Sequence, residues 1–478
     1  MNSRRGRALE TMKAVGLNIA IVFCRSLLTC IAGLLLLSAC STTPEPDLRR
    51  LYAQSREVEQ PPVILIHGIM GSRLEDSETG REVWYGNVLK LVFSDYSEVG
   101  LDFDPESLLP KPSSLVPSGI TDRAAGRDFY SGIMRTLEKA GRYRRAEPGQ
   151  RQDPGSRSYY VFLYDWRQDN VRSAQQLYRF IEQIREDHAN PQLKVDLVAH
   201  SMGGLIARYF LRFGKQDVLN DNRLEVNLGG AEKVRRVVLL GTPNLGSANS
   251  LHAFIKGKKI GLRRLPTEIL ASMPSVYQTF PHALNDWLVT AAGKPLERDL
   301  FDIRIWRRFQ WSIFDPRIRQ RIIDRAATAA QGEAYLAALE RYFEKHLERA
   351  RRFTWALTVP NPRAPYRLTV FGGDCTLTPA RLVVEEVDGV SEVRLWPREI
   401  RHPVPGVDYD ALMLEPGDGV ITKASLLARQ TIDLSMVRHR YVDFPLNYPL
   451  FLCERHDTLT ANPTFQDNLL HVLLSRDS

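Results

Sequence analysis

The sequence is poor in what several function classes need. Its 478 residues include five cysteines. They form no Cys/His cluster with zinc-ligand spacing, so no metal or other cofactor is expected. No block of like charge marks a nucleic-acid-binding face. Arg4, Arg5, Arg7, Lys13 and Arg25 against Glu10 supply half of the formal +8 charge, all within the first residues. No internal repeat is visible, and low complexity is confined to the same leader, which excludes repeat architectures. One long apolar run exists, SLLTCIAGLLLLSAC from Ser26 to Cys40. It is too short for a comfortable membrane span. What remains, at 44% hydrophobic and 25% charged, is an ordinary globular chain with residues enough for a large core.

The apolar run follows a basic flank and ends in small residues, the layout of a secretory signal. Met12 is an alternative start that leaves a shorter basic region. The segment LSAC, Leu37 to Cys40, resembles the lipobox of bacterial lipoproteins. That resemblance implies cleavage before Cys40, lipidation of Cys40 and attachment to a membrane surface. Ser41, in place of aspartate, then implies the outer membrane, with the body facing the periplasm or the cell surface. An uncleaved membrane anchor is the alternative, and either way the body is exported. Residues 1–39 are read as the signal and 40–60 as a polar, proline-containing tether. Cys375 and Cys453 remain for the body. An oxidising compartment favours a disulfide between them over two buried thiols.

From residue 61 apolar runs without alternation, such as Val63 to Ile66, are spaced by helical patterns such as NVRSAQQLYRFIEQIREDH. That alternation predicts a doubly wound, mostly parallel α/β sheet with helices on both faces. The first part of this core spans 61–248. Residues 249–358 show no strand pattern and read as a large helical cap rich in arginine and aromatics. Strands resume in 359–478, with a hairpin turning near Asp388-Gly389.

Chemistry enters at DLVAHSMGGLIARYF, Asp196 to Phe210. Its apolar first half suits a strand and its second half a helix, with Ser201 at the corner. A sharp strand-to-helix turn exposes a serine hydroxyl above a sheet edge and aims helix N–H groups at a developing oxyanion. Ala199 stands where the usual pattern has glycine. The same stretch also reads as a plain helix start with Ser201 as N-cap. A nucleophilic serine needs a base and a carboxylate to orient it, in the chain order Ser, Asp/Glu, His. His456, in the loop before the last helix, fits the base. His402, His439 and His471 lack that context, and His188, His252, His282 and His346 fall in helical or cap segments. His200 is held beside the serine as environment. Asp418, in a Gly-flanked loop, fits the acid, with Asp374 as rival. The loop HGIMGS after the first strand offers the Ile69 N–H, or that of Met70, to an oxyanion hole completed by Met202.

These motifs, in this order, resemble the lecithin:cholesterol acyltransferase group of α/β-hydrolases and bacterial lipases near it. The matching segments are VILIHGIMGSRL, YDWR, AHSMGG, GTPNLGS, SMPSVYQTFP, GDGVITKASL and the final His and helix. Ala199 and His67 depart from the group's usual residues, and His67 leans toward the lipase side. The resemblance implies acyl-ester chemistry on a lipid: Ser201 as nucleophile, His456 as base then acid, Asp418 orienting it, Ile69 and Met202 binding the oxyanion. Water as acceptor makes a lipase or phospholipase, and an alcohol makes an acyltransferase. The competing expectations are an esterase for smaller substrates and a non-catalytic lipid-binding lipoprotein of the same fold. Oligomeric state is left open.

Overall fold

The computed structural model describes residues 46–53, 55, 59–86, 94, 96–124, 127–220, 224–260, 262–283, 286–296, 298–359, 364–428 and 444–475. The expected signal, Cys40 and His439 lie outside the described residues. Residues 48–478 form one compact unit. Its centre is a seven-stranded sheet built from β1 (Val63–Ile66), β2 (Arg144–Arg145), β3 (Ser158–Phe162), β4 (Val195–His200), β5 (Val234–Leu240), β6 (Leu368–Gly373) and β7 (Leu446–Leu452). Across the sheet the order is β7-β6-β5-β4-β1-β3-β2, and every pairing is parallel.

The apolar runs lack alternation because both faces are covered. In β1, Val63 and Leu65 join a core with Ile133 and Leu137 of α1 (Ser131–Lys139). Ile64 and Ile66 face the opposite core, with Leu177 and Ile181 of α2 (Asn170–Asp187) and Ile206 and Phe210 of α3 (Met202–Phe213). Strand order reverses on either side of β1, since β3 lies to one side and β4 to the other. Such a switch point opens a crevice at the carboxyl ends of the strands. The loop after β1 and the corner after β4 both end there.

The segment expected to lack strands holds three short ones, a correction to the sequence reading. After α4 (Ala248–Lys256) comes an antiparallel hairpin, Lys258–Ile260 with Arg263–Leu265. Leu288–Thr290 pairs in parallel with Leu382–Val387. Three-residue strands are shorter than any window in which a period of two can be told from chance. The long helix α5 (Ala329–Thr358) closes this region. Its last carbonyls are capped by two buried arginines of α3: Arg208 donates to Leu357 O and Arg212 to Ala356 O, at 2.6 and 2.9 Å. Cations at a helix C-terminus satisfy the orphan carbonyls and the dipole together. The hairpin Leu382–Val387 and Val390–Arg394 turns at Asp388-Gly389, where both φ angles are positive (51° and 76°). The final helix α6 (Pro463–Leu474) packs on the α1 face through Phe465, Leu469 and Leu473.

Candidate active site

Ser201 occupies the corner between β4 and α3 with φ 55° and ψ −126°. A non-glycine residue holds this conformation only where its surroundings over-determine it. Here they do. The Ser201 N–H donates to Leu240 O of β5 at 2.8 Å. A Cβ on Gly203 would lie 2.4 Å from His67 O, and one on Gly204 2.0 Å from Thr242 Oγ1. Helix and neighbouring loops meet this closely because both positions lack a side chain. Ala199 departs from the usual glycine and is fully buried, in register with Ile66 and Leu239. A methyl group fits where the strand is still regular.

His456 Nε2 lies 3.0 Å from Ser201 Oγ, and His456 Nδ1 lies 2.7 Å from Asp418 Oδ2. A carboxylate only accepts, so Nδ1 carries the proton and Nε2 presents a lone pair to the serine hydroxyl. Asp418 is 2% exposed. Its other oxygen accepts from Val420 N–H and Ile421 N–H at 2.9 and 2.7 Å, and the His456 N–H donates to Asp418 O at 3.0 Å. Asp374, the rival acid, pairs instead with Lys423 Nζ at 2.8 Å. Gly241 has φ +57°, and a Cβ there would come within 3.0 Å of the His456 ring. The ring therefore packs against bare backbone.

Ile69 and Met202 line the same cavity as Ser201, as does Met70. The loop after β1 passes so near the serine that a Cβ on Gly68 would lie 2.8 Å from Ser201 Cβ. Two aromatic residues set this loop. Tyr164 stacks on His67 at 4.1 Å and donates its hydroxyl to His67 O at 2.7 Å. Tyr130 Oη accepts the Gly68 N–H at 2.9 Å. The same hydroxyl lies 2.8 Å from His200 Nδ1, and His200 Nε2 lies 3.3 Å from His456 O. Burial, with the nearby His456 adding to it, pushes His200 down to about 3. It is neutral, accepts from Tyr130 at Nδ1 and donates at Nε2. His200 is thus environment, as expected. Tyr130 was missed, because no motif marks a tyrosine that arrives from α1. The cavity is about 420 Å³, with Ile69, Met70, Trp84, Tyr85, Leu270 and Val276 among its apolar walls.

Residues 157–311, about a third of the chain, match the lecithin:cholesterol acyltransferase family. The matched stretch holds Ser201 and Met202 but not Ile69, Asp418 or His456. No curated protein matches the sequence. Among solved structures, the Tle4–Tli4 complex aligns with 87% of this chain and 98% of its own, at 16% identity and TM-score 0.54. Lipase 1 from Pelosinus fermentans aligns with 88% of this chain and 100% of its own, at 13% identity and TM-score 0.36. The mature Bacillus licheniformis lipase BlEst2 aligns with 88% and 94%, at 11% identity and TM-score 0.33. The chain shares its fold with the Tle4–Tli4 structure, and its residues 157–311 are similar to the lecithin:cholesterol acyltransferase family.

In this fold the YDWR segment is structural. Arg167 is fully buried, forks onto Asp165 at 2.8 Å through Nε and through Nη2, and donates to Val99 O and Leu115 O. The SMPSVYQTFP segment meets it through Ser275, whose hydroxyl donates to Trp166 O at 2.6 Å. Cys375 and Cys453 form a disulfide with Cα atoms 5.0 Å apart. It joins the end of β6, beside Asp374, to the loop that carries His456. Three other histidines serve packing: His282 contacts Thr358 Oγ1, His346 reaches Leu108 O, and His188 meets Ser158 and Tyr160, while His402 and His471 are exposed. Among the described residues no three His, Cys, Asp or Glu side chains are arranged to hold a metal ion. None of the described helices is long and apolar enough to cross a membrane.

Proposed function

We propose that this protein is a serine acyl-ester hydrolase or acyltransferase acting on lipids through an acyl-enzyme. The observation that carries this reading is the run Ser201 Oγ, His456 Nε2 and Nδ1, Asp418 Oδ2, with steps of 3.0 and 2.7 Å, opening into an apolar cavity. The lecithin:cholesterol acyltransferase match supports ester hydrolysis or acyl transfer as the reaction class. Ser201 Oγ attacks the ester carbonyl while His456 Nε2 takes its proton, and Asp418 stabilises the imidazolium. The Ile69 and Met202 N–H groups bind the tetrahedral oxyanion. Collapse breaks the ester bond, and the alcohol leaves with the proton from His456. Water, or a second alcohol, then gives up a proton to His456 and attacks the acyl-enzyme, releasing Ser201.

The apolar walls favour a long acyl chain over a small ester. Acyl release from radiolabelled phospholipid and triacylglycerol, with and without a sterol or glycerol acceptor, tests the reading. Release that disappears in Ser201→Ala supports it, and the acceptor arms separate hydrolase from transferase. Equal traces from both proteins would leave a lipid-binding protein of hydrolase shape.

The leader supports a second proposal, that the protein is exported and lipidated at Cys40 as an outer-membrane lipoprotein. Incorporation of labelled palmitate that is lost in Cys40→Ser is the expected result. Equal labelling of both would refute it.

A further inference from the structure

The hairpin after α4 is amphipathic in an unusual place. Ile260 and Leu265 are buried and seat it in the main core. Lys258 and Lys259 both have exposed surface and line the cavity that holds Ser201 and His456, and burial at the cavity pushes the Lys258 ammonium down from its ordinary range. Leu262, between the two strands, is 78% exposed. The hairpin's base is fixed: Lys256 pairs with Glu392, and Arg264 donates to Gly257 O at 3.1 Å. Among the described residues neither Lys258 nor Lys259 pairs with an acid. The acids at the mouth are already engaged, Asp418 with His456 and Asp457 with Arg455 at 3.6 Å. The mouth therefore presents two unneutralised ammonium groups beside a projecting leucine.

We infer that the hairpin Lys258–Leu265 docks the cavity mouth onto an anionic lipid surface, with Lys258 and Lys259 on lipid phosphates and Leu262 entering the apolar layer. Each lysine near an anionic bilayer adds electrostatic attraction. A leucine sheds its water by entering the acyl boundary, which anchors what the charges attract. The two act at the same edge, so the surface would be held where an ester can pass to Ser201. This rests on the lipid-ester reading for its purpose, but its test needs no turnover.

The test uses the full chain carrying Ser201→Ala, with p-benzoylphenylalanine in place of Leu262. Light-driven cross-linking to radiolabelled lipid is measured in vesicles of phosphatidylcholine alone and of phosphatidylcholine with phosphatidylglycerol. The readout is local to the hairpin, so attachment through the N-terminus does not mimic it. Strong cross-linking in the anionic vesicles is expected, falling roughly tenfold or more in Lys258→Gln/Lys259→Gln and falling with salt. A matched thermal unfolding curve shows that the variant is folded. Equal cross-linking to both vesicles, none to either, or no response to the lysine changes would overturn the inference. Loss of ester hydrolysis in Ser201→Ala is a separate result, so the two readings can fail independently.

Discussion

Tyr130 Oη stands 2.8 Å from His200 Nδ1 and 2.9 Å from Gly68 N. One hydroxyl thus ties the loop after β1 to the histidine that backs His456. Both partners are main-chain or neutral groups, so the hydroxyl accepts from Gly68 and donates to His200. Tyr130→Phe keeps the ring and removes both bonds. Leaving a buried donor or acceptor unpaired costs about 1–3 kcal/mol. On a soluble short-chain ester we expect kcat to fall by roughly ten- to a hundredfold, with KM nearly unchanged. The Gly68 amide would no longer fix the approach of Ile69 to Ser201. An unchanged kcat would show that the loop is set by Tyr164 and His67 alone.

The two candidate acids give opposite expectations. Asp418 touches His456, and Asp374 touches Lys423. Asp418→Asn replaces an acceptor by an amide, which no longer selects the tautomer with its proton on Nδ1. Loss of activity by about 10⁴-fold with the fold intact is expected. Asp374→Asn weakens a half-exposed ion pair, a change worth about 0–1 kcal/mol of stability, and should leave turnover within a small factor. Comparable losses in both would reassign the acid.

Much of this site was legible because its chemistry imposes order on the chain. Ser201 follows β4 and His456 follows β7 at the carboxyl edge of the sheet, and Asp418 reaches them from the excursion between β6 and β7. Gly203 belongs to the same corner as Ser201, which leaves no room for a Cβ against His67 O. Tyr130 and the short hairpin at Lys258 were not legible. A tyrosine that reaches across from another helix has no local pattern, and a three-residue strand has no period. Arg167 in YDWR could be read as a site residue or as a strand-end pair, and only its burial and its bonds to Val99 O and Leu115 O decide for the pair.

Buried histidines should make the fold acid-sensitive. His67, His282 and His346 are 0%, 1% and 3% exposed, and burial pushes each down to about 4. Unfolded, each titrates near 6.5. Above that pH neither state binds the proton, and these groups add no pH dependence. Between about 6.5 and 4 the unfolded chain takes up protons that the native one refuses, so stability falls as pH falls. Each histidine contributes up to about 1.4 kcal/mol per pH unit, and the slope flattens below 4. Urea midpoints at pH 7.5, 6 and 5 should decline steadily, and His346→Gln should remove part of the slope. Midpoints that stay level from 7.5 to 5 would mean these rings are not kept neutral.

The Cys375–Cys453 bond closes a stretch with sequence separation 78. In the chain-entropy model such a cross-link stabilises by about 4–5 kcal/mol, often less in practice. Both cysteines are exposed, so a soluble reductant reaches them. The bond also has a local consequence, because Cys453 lies three residues before His456, in a loop also held by the His456 N–H on Asp418 O and by His200 on His456 O. Releasing it loosens the ring's place between Ser201 and Asp418. We expect dithiothreitol, or Cys375→Ser/Cys453→Ser, to lower the unfolding temperature and to lower kcat several-fold. The reductant should have no effect on the double-serine protein, which separates the bond from other thiols. If reduction shifts neither the unfolding temperature nor kcat, the histidine loop is held by Asp418 and the glycine at 241 without help from the bond.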